Sequence, residues 1–189
     1  MDTDAGRADP MQPLLVVITG VQGTGKSTVA EAAAGMLGAA VLAHDWAMSA
    51  LRPYPELQAA LDAMEPPGHR VVGWSILESL ARAQLRRGCS VVLDGVARAP
   101  EIARLREAAE DLAARLVVIM TQCTDLGVHR SRIEKRQRVI PNWYELDWEH
   151  VQATRAGWEP PGDVDLRLEA TDRWEDNRDR LSDLFELAD

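Results

Sequence analysis

Eight consecutive residues, Gly20-Val-Gln-Gly-Thr-Gly-Lys-Ser27, place glycines, a lysine and a hydroxyl at the spacing G-x-x-x-x-G-K-[ST]. Each residue type answers a need of phosphate chemistry. Glycines let the backbone turn tightly, so that successive N–H groups point at phosphate oxygens. A helix beginning at the loop adds its unpaired N-terminal donors and its dipole. Lys26 is expected to reach the β- and γ-phosphates of a nucleoside triphosphate, and Ser27 to ligate Mg²⁺. Gly20, Gln22, Gly23, Thr24, Gly25 and Thr28 complete the expected phosphate site.

Other residues could supply the rest of a phosphoryl transfer. Val91-Val-Leu-Asp94 reads as a strand ending in a carboxylate, which would hold the metal directly or through water. The alternative is an Asp that merely closes a strand end. Asp45 follows a short apolar stretch, and there it would take a proton from an attacking hydroxyl or orient it. It would equally serve as the N-cap of a helix starting near Trp46. His44 is the competing base, or a structural or substrate contact. Arg130, Arg132, Arg136 and Arg138 crowd a short helical stretch with only Glu134 as an interleaved negative charge. Arg132 and Arg136 share a face and are candidate catalytic residues, and Arg130 is a candidate nucleotide contact. A solvated helix face is the plainer reading of the same cluster. Trp46, Arg52 and Arg98 are candidate substrate contacts.

Hydrophobic patterning predicts the elements that position these groups. Strands are expected at Leu14–Thr19, Ala40–Ala43, Val91–Leu93, Arg115–Thr121 and Asp165–Glu169. Helices are expected at Ser27–Leu37, at 46–64 broken by Pro53 and Pro55, and at Val71–Arg87, Pro100–Ala114, Asp125–Arg138, Asp147–Ala156 and Arg173–Leu187. Strands alternating with helices indicate an α/β protein layered on a parallel sheet. Asp45, Asp94 and the glycine loop all follow strands, and open parallel sheets bind ligands at the carboxyl ends of strands.

With these residues in place, the chain resembles the small P-loop kinases. That group includes chloramphenicol phosphotransferase, zeta toxin, gluconate kinase and the polynucleotide kinase domain. The resemblance spans most of residues 14–187 and rests on Gly20–Ser27, Asp45, the segment Gly88-x-x-Val91-Val-Leu-Asp94 and the arginine cluster. It implies a P-loop NTPase three-layer sandwich: a five-stranded parallel sheet of order 2-3-1-4-5, helices on both faces, and an arginine-rich helical lid. It implies in-line transfer of the ATP γ-phosphate to a hydroxyl, with Asp45 as base, and an adenine beside Pro160–Asp163. Relatives that bind an acceptor phosphate carry an arginine three residues after the aspartate. Here Met48 stands there, which suggests a less anionic acceptor walled by Trp46 and Met48. The expected acceptor is an antibiotic, a nucleoside or a sugar derivative. A polynucleotide or nucleotide kinase is an alternative, and an ATP-binding regulator or ATPase without an acceptor is another. No N-K-x-D or L-S-G-G-Q segment points to a GTPase switch or an ABC-type ATPase.

Composition narrows the classes further. The 189 residues predict a disordered tail over 1–12 and a single kinase domain over 13–189, with a lid around 124–158. A net charge of −9 argues against broad nucleic-acid binding. Only Lys26 and Lys135 of the 21 basic residues are lysines. No apolar stretch is long enough to span a membrane, and the polar, acidic start predicts a cytoplasmic location. Cys89 and Cys123 are expected to be buried reduced thiols. A monomer or a homodimer fits equally. Of the six tryptophans, Trp74 is expected in the core, while Trp143, Trp148 and Trp158 are expected either to pack the lid or touch substrate or, equally, to pack in the core.

Overall fold

A computed structural model of the chain describes residues 12–137 and 139–186. The expected tail therefore lies outside the described residues except for Gln12, as does Arg138. Five parallel strands, β1 (Leu14–Thr19), β2 (Ala40–Ala43), β3 (Val91–Asp94), β4 (Arg115–Gln122) and β5 (Leu166–Glu169), form one sheet in the order β2-β3-β1-β4-β5. β1 is at the centre and buried along its whole length, which explains its unbroken apolar sequence.

Successive side chains of a strand point to opposite faces, and the core divides accordingly. Leu15, Val17, Leu93 and Val118 pack under α4 (Gly68–Leu85) and α5 (Ala99–Asp111), with Trp74, Leu77 and Leu105. Val16, Ile18, Val92 and Ile119 pack under α1 (Lys26–Leu37) and α8 (Trp174–Glu186), with Val29, Ala33, Leu181 and Phe185. Helices thus cover both faces, the expected three layers. Trp74 is buried as expected, whereas Leu80 of the same helix is exposed.

Some boundaries move. The helix expected over 46–64 divides into α2 (His44–Ser49) and α3 (Pro55–Asp62), because the two prolines favour a turn between them. α4 begins at Gly68 rather than Val71, so Arg70 belongs to its first turn. α6 (Leu126–Lys135) and α7 (Trp148–Gly157) are joined by an irregular segment, and α6 stops short of the expected Arg138. Cys123 is buried but Cys89 is exposed, so only one cysteine has the expected setting. Burial pushes the Cys123 thiol up, which leaves it protonated and unsuited to be a nucleophile. Among the described residues no helix is long and apolar enough to cross a membrane.

Register sets the level of the strand ends. Asp94 lies opposite Ile18 of β1 and opposite Ala43 of β2. The glycine loop, Asp94 and His44-Asp45 therefore emerge side by side. This arrangement depends on the core below it. Leu77, fully buried under the sheet, is a direct probe: Leu77→Ala should lower unfolding free energy by about 2–5 kcal/mol. Urea unfolding measures it, and a loss below about 1 kcal/mol would contradict tight packing of that layer.

Candidate active site

The loop between β1 and α1 turns through three glycines with positive φ: Gly20 at 137°, Gly23 at 84° and Gly25 at 92°. Two of them are also constrained by space. A Cβ on Gly20 would overlap the Thr121 carbonyl, and one on Gly23 would come within 2.6 Å of Ile133 Cδ1. Gly25 is the N-cap of α1 and offers no side-chain cap, so the first helical N–H groups face the cleft without a capping oxygen.

Several side chains line one large cleft at the strand ends, about 1280 Å³ in volume. Lys26 and Ser27 occupy its phosphate-loop end. Ser27 Oγ donates to Asp94 Oδ2 at 2.8 Å, and Lys26 Nζ donates to the Val21 carbonyl at 3.0 Å. Gln22, Gly23, Gly25 and Thr28 also line the cleft. Thr24 does not. Its buried hydroxyl donates to Val21 O at 2.8 Å and lies 2.7 Å from Thr121 Oγ1, so the side chain shapes the loop.

Ser27 and Asp94 supply two oxygen donors, and no group of three or more His, Cys, Asp or Glu residues assembles among the described residues. That donor set is too small for a protein-enclosed ion. It fits Mg²⁺, a hard ion that takes its remaining ligands from phosphate and water.

Across the cleft, Asp45 sits in the first turn of α2, whose N-cap is Ala43. The N-cap reading of Asp45 is thereby corrected: the helix starts two residues early, at His44. His44 Nδ1 stands 3.5 Å from Asp45 Oδ1. The His44 ring tilts against Trp74, with centroids 6.0 Å apart, in space left open by Gly73, where a Cβ would overlap that ring. Trp46 is half-exposed and lines the cleft, but Met48 is 0% exposed and belongs to the core. The expectation that Met48 walls the acceptor pocket is therefore overturned, because it points inward from α2.

The arginines separate. Arg52, Arg98, Arg132 and Arg136 line the cleft. Arg130 does not; it turns to Glu134 one helical turn away, at 2.7 Å. Arg132 Nη2 donates to the Ala170 carbonyl at 2.6 Å, on the loop after β5. The Pro160–Asp163 segment before β5 is not part of the cleft lining, and exposed Asp163 instead faces Arg106 at 3.7 Å. Arg52 lies over the Tyr144 ring, 5.4 Å from its centroid. Trp143 and Tyr144 stack at 5.0 Å and also line the cleft.

Two residues gain a place that their sequence context did not reveal. Arg70 lines the cleft from the first turn of α4. His129, fully buried on α6, has Nε2 2.6 Å from the Gln22 carbonyl oxygen. A carbonyl only accepts, so Nε2 carries the hydrogen. Because the peptide is planar and trans, drawing Gln22 C=O toward His129 turns the Gly23 N–H away from that ring. Trp148 of α7 packs edge-on against the same ring at 5.2 Å. At the far end of α7, Trp158 Nε1 donates to Ala97 O at 2.9 Å and Arg98 Nη1 to Gly157 O at 2.7 Å. The α6–α7 span is thus tied at both roots to the loops after β1 and β3.

A glycine phosphate loop between β1 and α1, with a serine bonded to the aspartate of the neighbouring strand, defines a P-loop nucleotide-binding protein. The chain belongs to the AAA domain family, whose model matches residues 15–161. No curated protein sequence matches it. Among solved structures it shares its fold with a sugar kinase from Janibacter sp. HTCC2649, at 18% identity and a TM-score of 0.66, covering 94% of this chain and 96% of that one. A gluconokinase from Sinorhizobium meliloti 1021 matches at 21% identity and 0.66, covering 93% and 94%. Kti12 of Chaetomium thermophilum, solved with ADP-AlF3, matches at 18% identity and 0.70, covering 94% and 100%.

The His129–Gln22 bond can be tested directly. His129→Ala should weaken ADP binding roughly tenfold, the cost of leaving a buried group unpaired. His129→Gln, which keeps an N–H donor, should recover most of that loss. Titration calorimetry reads both; equal losses in the two variants would reduce His129 to a packing residue.

Proposed function

We propose that this protein is an ATP- and Mg²⁺-dependent kinase that transfers the γ-phosphate to a hydroxyl group of a small molecule. The observation that carries this reading is the 2.8 Å Ser27–Asp94 bond beside the phosphate loop, in a cleft that Asp45 also lines. A phosphate end and a carboxylate suited to an attacking hydroxyl thus share one cavity. The fold likeness to a sugar kinase and a gluconokinase supports a small hydroxylated acceptor. The charge of −9 weighs against a nucleic-acid one.

Mg²⁺ held by Ser27 and, directly or through water, by Asp94 would neutralise charge on the β- and γ-phosphates. Gln22, Gly23, Gly25 and Thr28 cradle the phosphates, chiefly through backbone N–H groups. Lys26 exchanges the Val21 carbonyl for phosphate oxygens. Asp45 takes the acceptor hydroxyl's proton as that oxygen attacks the γ-phosphorus. The bond from this phosphorus to the bridging oxygen breaks, and ADP leaves with the electron pair. The products are ADP and a phosphate monoester, and the proton on Asp45 passes to solvent. Arg132 and Arg136, on the span 124–158 acting as a lid, place positive charge beside the transferring group. Trp46 provides a wall for the acceptor.

Two substitutions separate binding from chemistry. Lys26→Ala should abolish ATP consumption and weaken ATP binding. Asp45→Asn should leave ATP affinity within about twofold while lowering transfer by ~10²-fold or more. Steady-state ADP release with Mg²⁺ across a panel of hydroxyl acceptors, beside ATP titrations, measures both. Undiminished turnover in Lys26→Ala would remove the phosphate-loop assignment, and a wild-type rate in Asp45→Asn would place the base elsewhere.

A further inference from the structure

We infer that the acceptor carries an anionic group, a carboxylate or a phosphate, which binds to Arg70 and is supported by Arg52 and Arg98. This inference rests on the kinase reading above and specifies its substrate.

The central feature is a carboxylate that the transfer itself does not use. Glu101, in the first turn of α5, has a side chain only 3% exposed. Its Oε1 accepts from Arg70 Nη1 at 2.6 Å, and its Oε2 accepts from the Arg98 backbone N–H at 3.0 Å. One buried carboxylate thus fixes two segments that line the cleft. Holding a charge out of water is costly unless it is paired and hydrogen-bonded. Arg70 meets that requirement through one nitrogen, while its half-buried guanidinium has four further N–H donors and stands at the cleft wall. A guanidinium oriented this way presents a planar fork matched to a carboxylate or phosphate.

The neighbouring charges agree. Arg98 Nε is buried without a hydrogen-bond partner. Arg52 makes a cation–π contact with Tyr144 and a long bond of 3.4 Å to the neutral Gln58 amide. The carboxylates that line the cleft are Glu31, Asp45, Asp62 and Asp94, and Asp62 Oδ1 lies 3.1 Å from His69 Nε2. Arg52, Arg70 and Arg98 line the same cleft as Asp45. A neutral acceptor would leave the remaining N–H donors of Arg70 and the buried Arg98 Nε without a charged acceptor, whereas an anionic one would supply it. The suggestion of a less anionic acceptor, drawn from Met48, fails for a spatial reason. Residue 48 is in the core, and the cation enters from α4 instead.

The test uses the full chain saturated with ADP and Mg²⁺, so that the phosphate loop is filled. Matched pairs are then titrated and followed by saturation-transfer NMR: glycerate against glycerol, galacturonate against galactose, and glucose 6-phosphate against glucose. At least one anionic member should bind more than roughly tenfold tighter than its neutral partner. The pair that responds separates carboxylate from phosphate. Arg70→Gln should remove roughly tenfold or more of that affinity, while ADP affinity stays within about twofold. Arg180→Gln, on α8 outside the cleft, should change neither. Arg70→Gln leaves Glu101 buried and unpaired, so the double variant Arg70→Met/Glu101→Met removes the cation without that burden and should lose the anion equally. Neutral partners binding as well as anions, no anion binding at all, or anion binding unchanged in the double variant would each overturn the inference. Loss of the kinase reading shows separately, as failure of ADP to bind in a Lys26-dependent way.

Discussion

Ile18, Ala43 and Asp94 lie level across three neighbouring parallel strands, and this register decides where chemistry can occur. A shift of one residue in β3 would reverse the facing of its side chains, sending Asp94 away from Ser27 and its apolar neighbours out of the core. The phosphate loop, the Ser27–Asp94 pair and Asp45 meet only because β1, β2 and β3 end together. The core that enforces this is made of the same strands: Val91, Val92 and Leu93 are fully buried, so packing and placement of the carboxylate are one requirement.

What could be read in advance depended on how local the cause was. Gly20–Ser27 was legible because a tight turn before a helix needs glycines at fixed offsets, and the lysine and serine follow in the same turn. The strand order and layering followed from alternation of elements and from the family resemblance. Arg70 was not legible, since its place in the cleft depends on Glu101, which lies 31 residues further along and is buried by another helix. His129 was hidden more deeply, because its partner carbonyl is 107 residues away. The arginine cluster showed the limits of spacing. Positions four apart do share a face, but a neighbour such as Glu134 can capture one member, as it does Arg130.

Met48 and Thr24 fail in a related way. Both sit beside functional residues in sequence, and both are turned inward by the element that carries them. α2 directs Met48 into the core, and the phosphate loop folds the Thr24 hydroxyl onto Val21 and Thr121. Adjacency along the chain is thus a weak guide to a site built from the ends of strands. Orientation within a turn decides which neighbour faces the cavity.

The α6–α7 span is fixed at both ends, by His129 on Gln22 and by Trp158 and Arg98 on Ala97 and Gly157. In the lid role proposed for it, a cover hinged at two sides would behave like a strap rather than a door. Its middle can lift to pass something slender, but admitting a bulky body means detaching a root. Each such bond contributes about 0.5–1.5 kcal/mol, so detaching the two at the Ala97–Gly157 root costs roughly 1–3 kcal/mol. With about 1.4 kcal/mol per factor of ten, that root would stand detached in roughly one molecule in six to one in 140. In the proposed lid role such a strap would act as a sieve: small solutes would pass beneath it, and anything of macromolecular girth would require a root to detach.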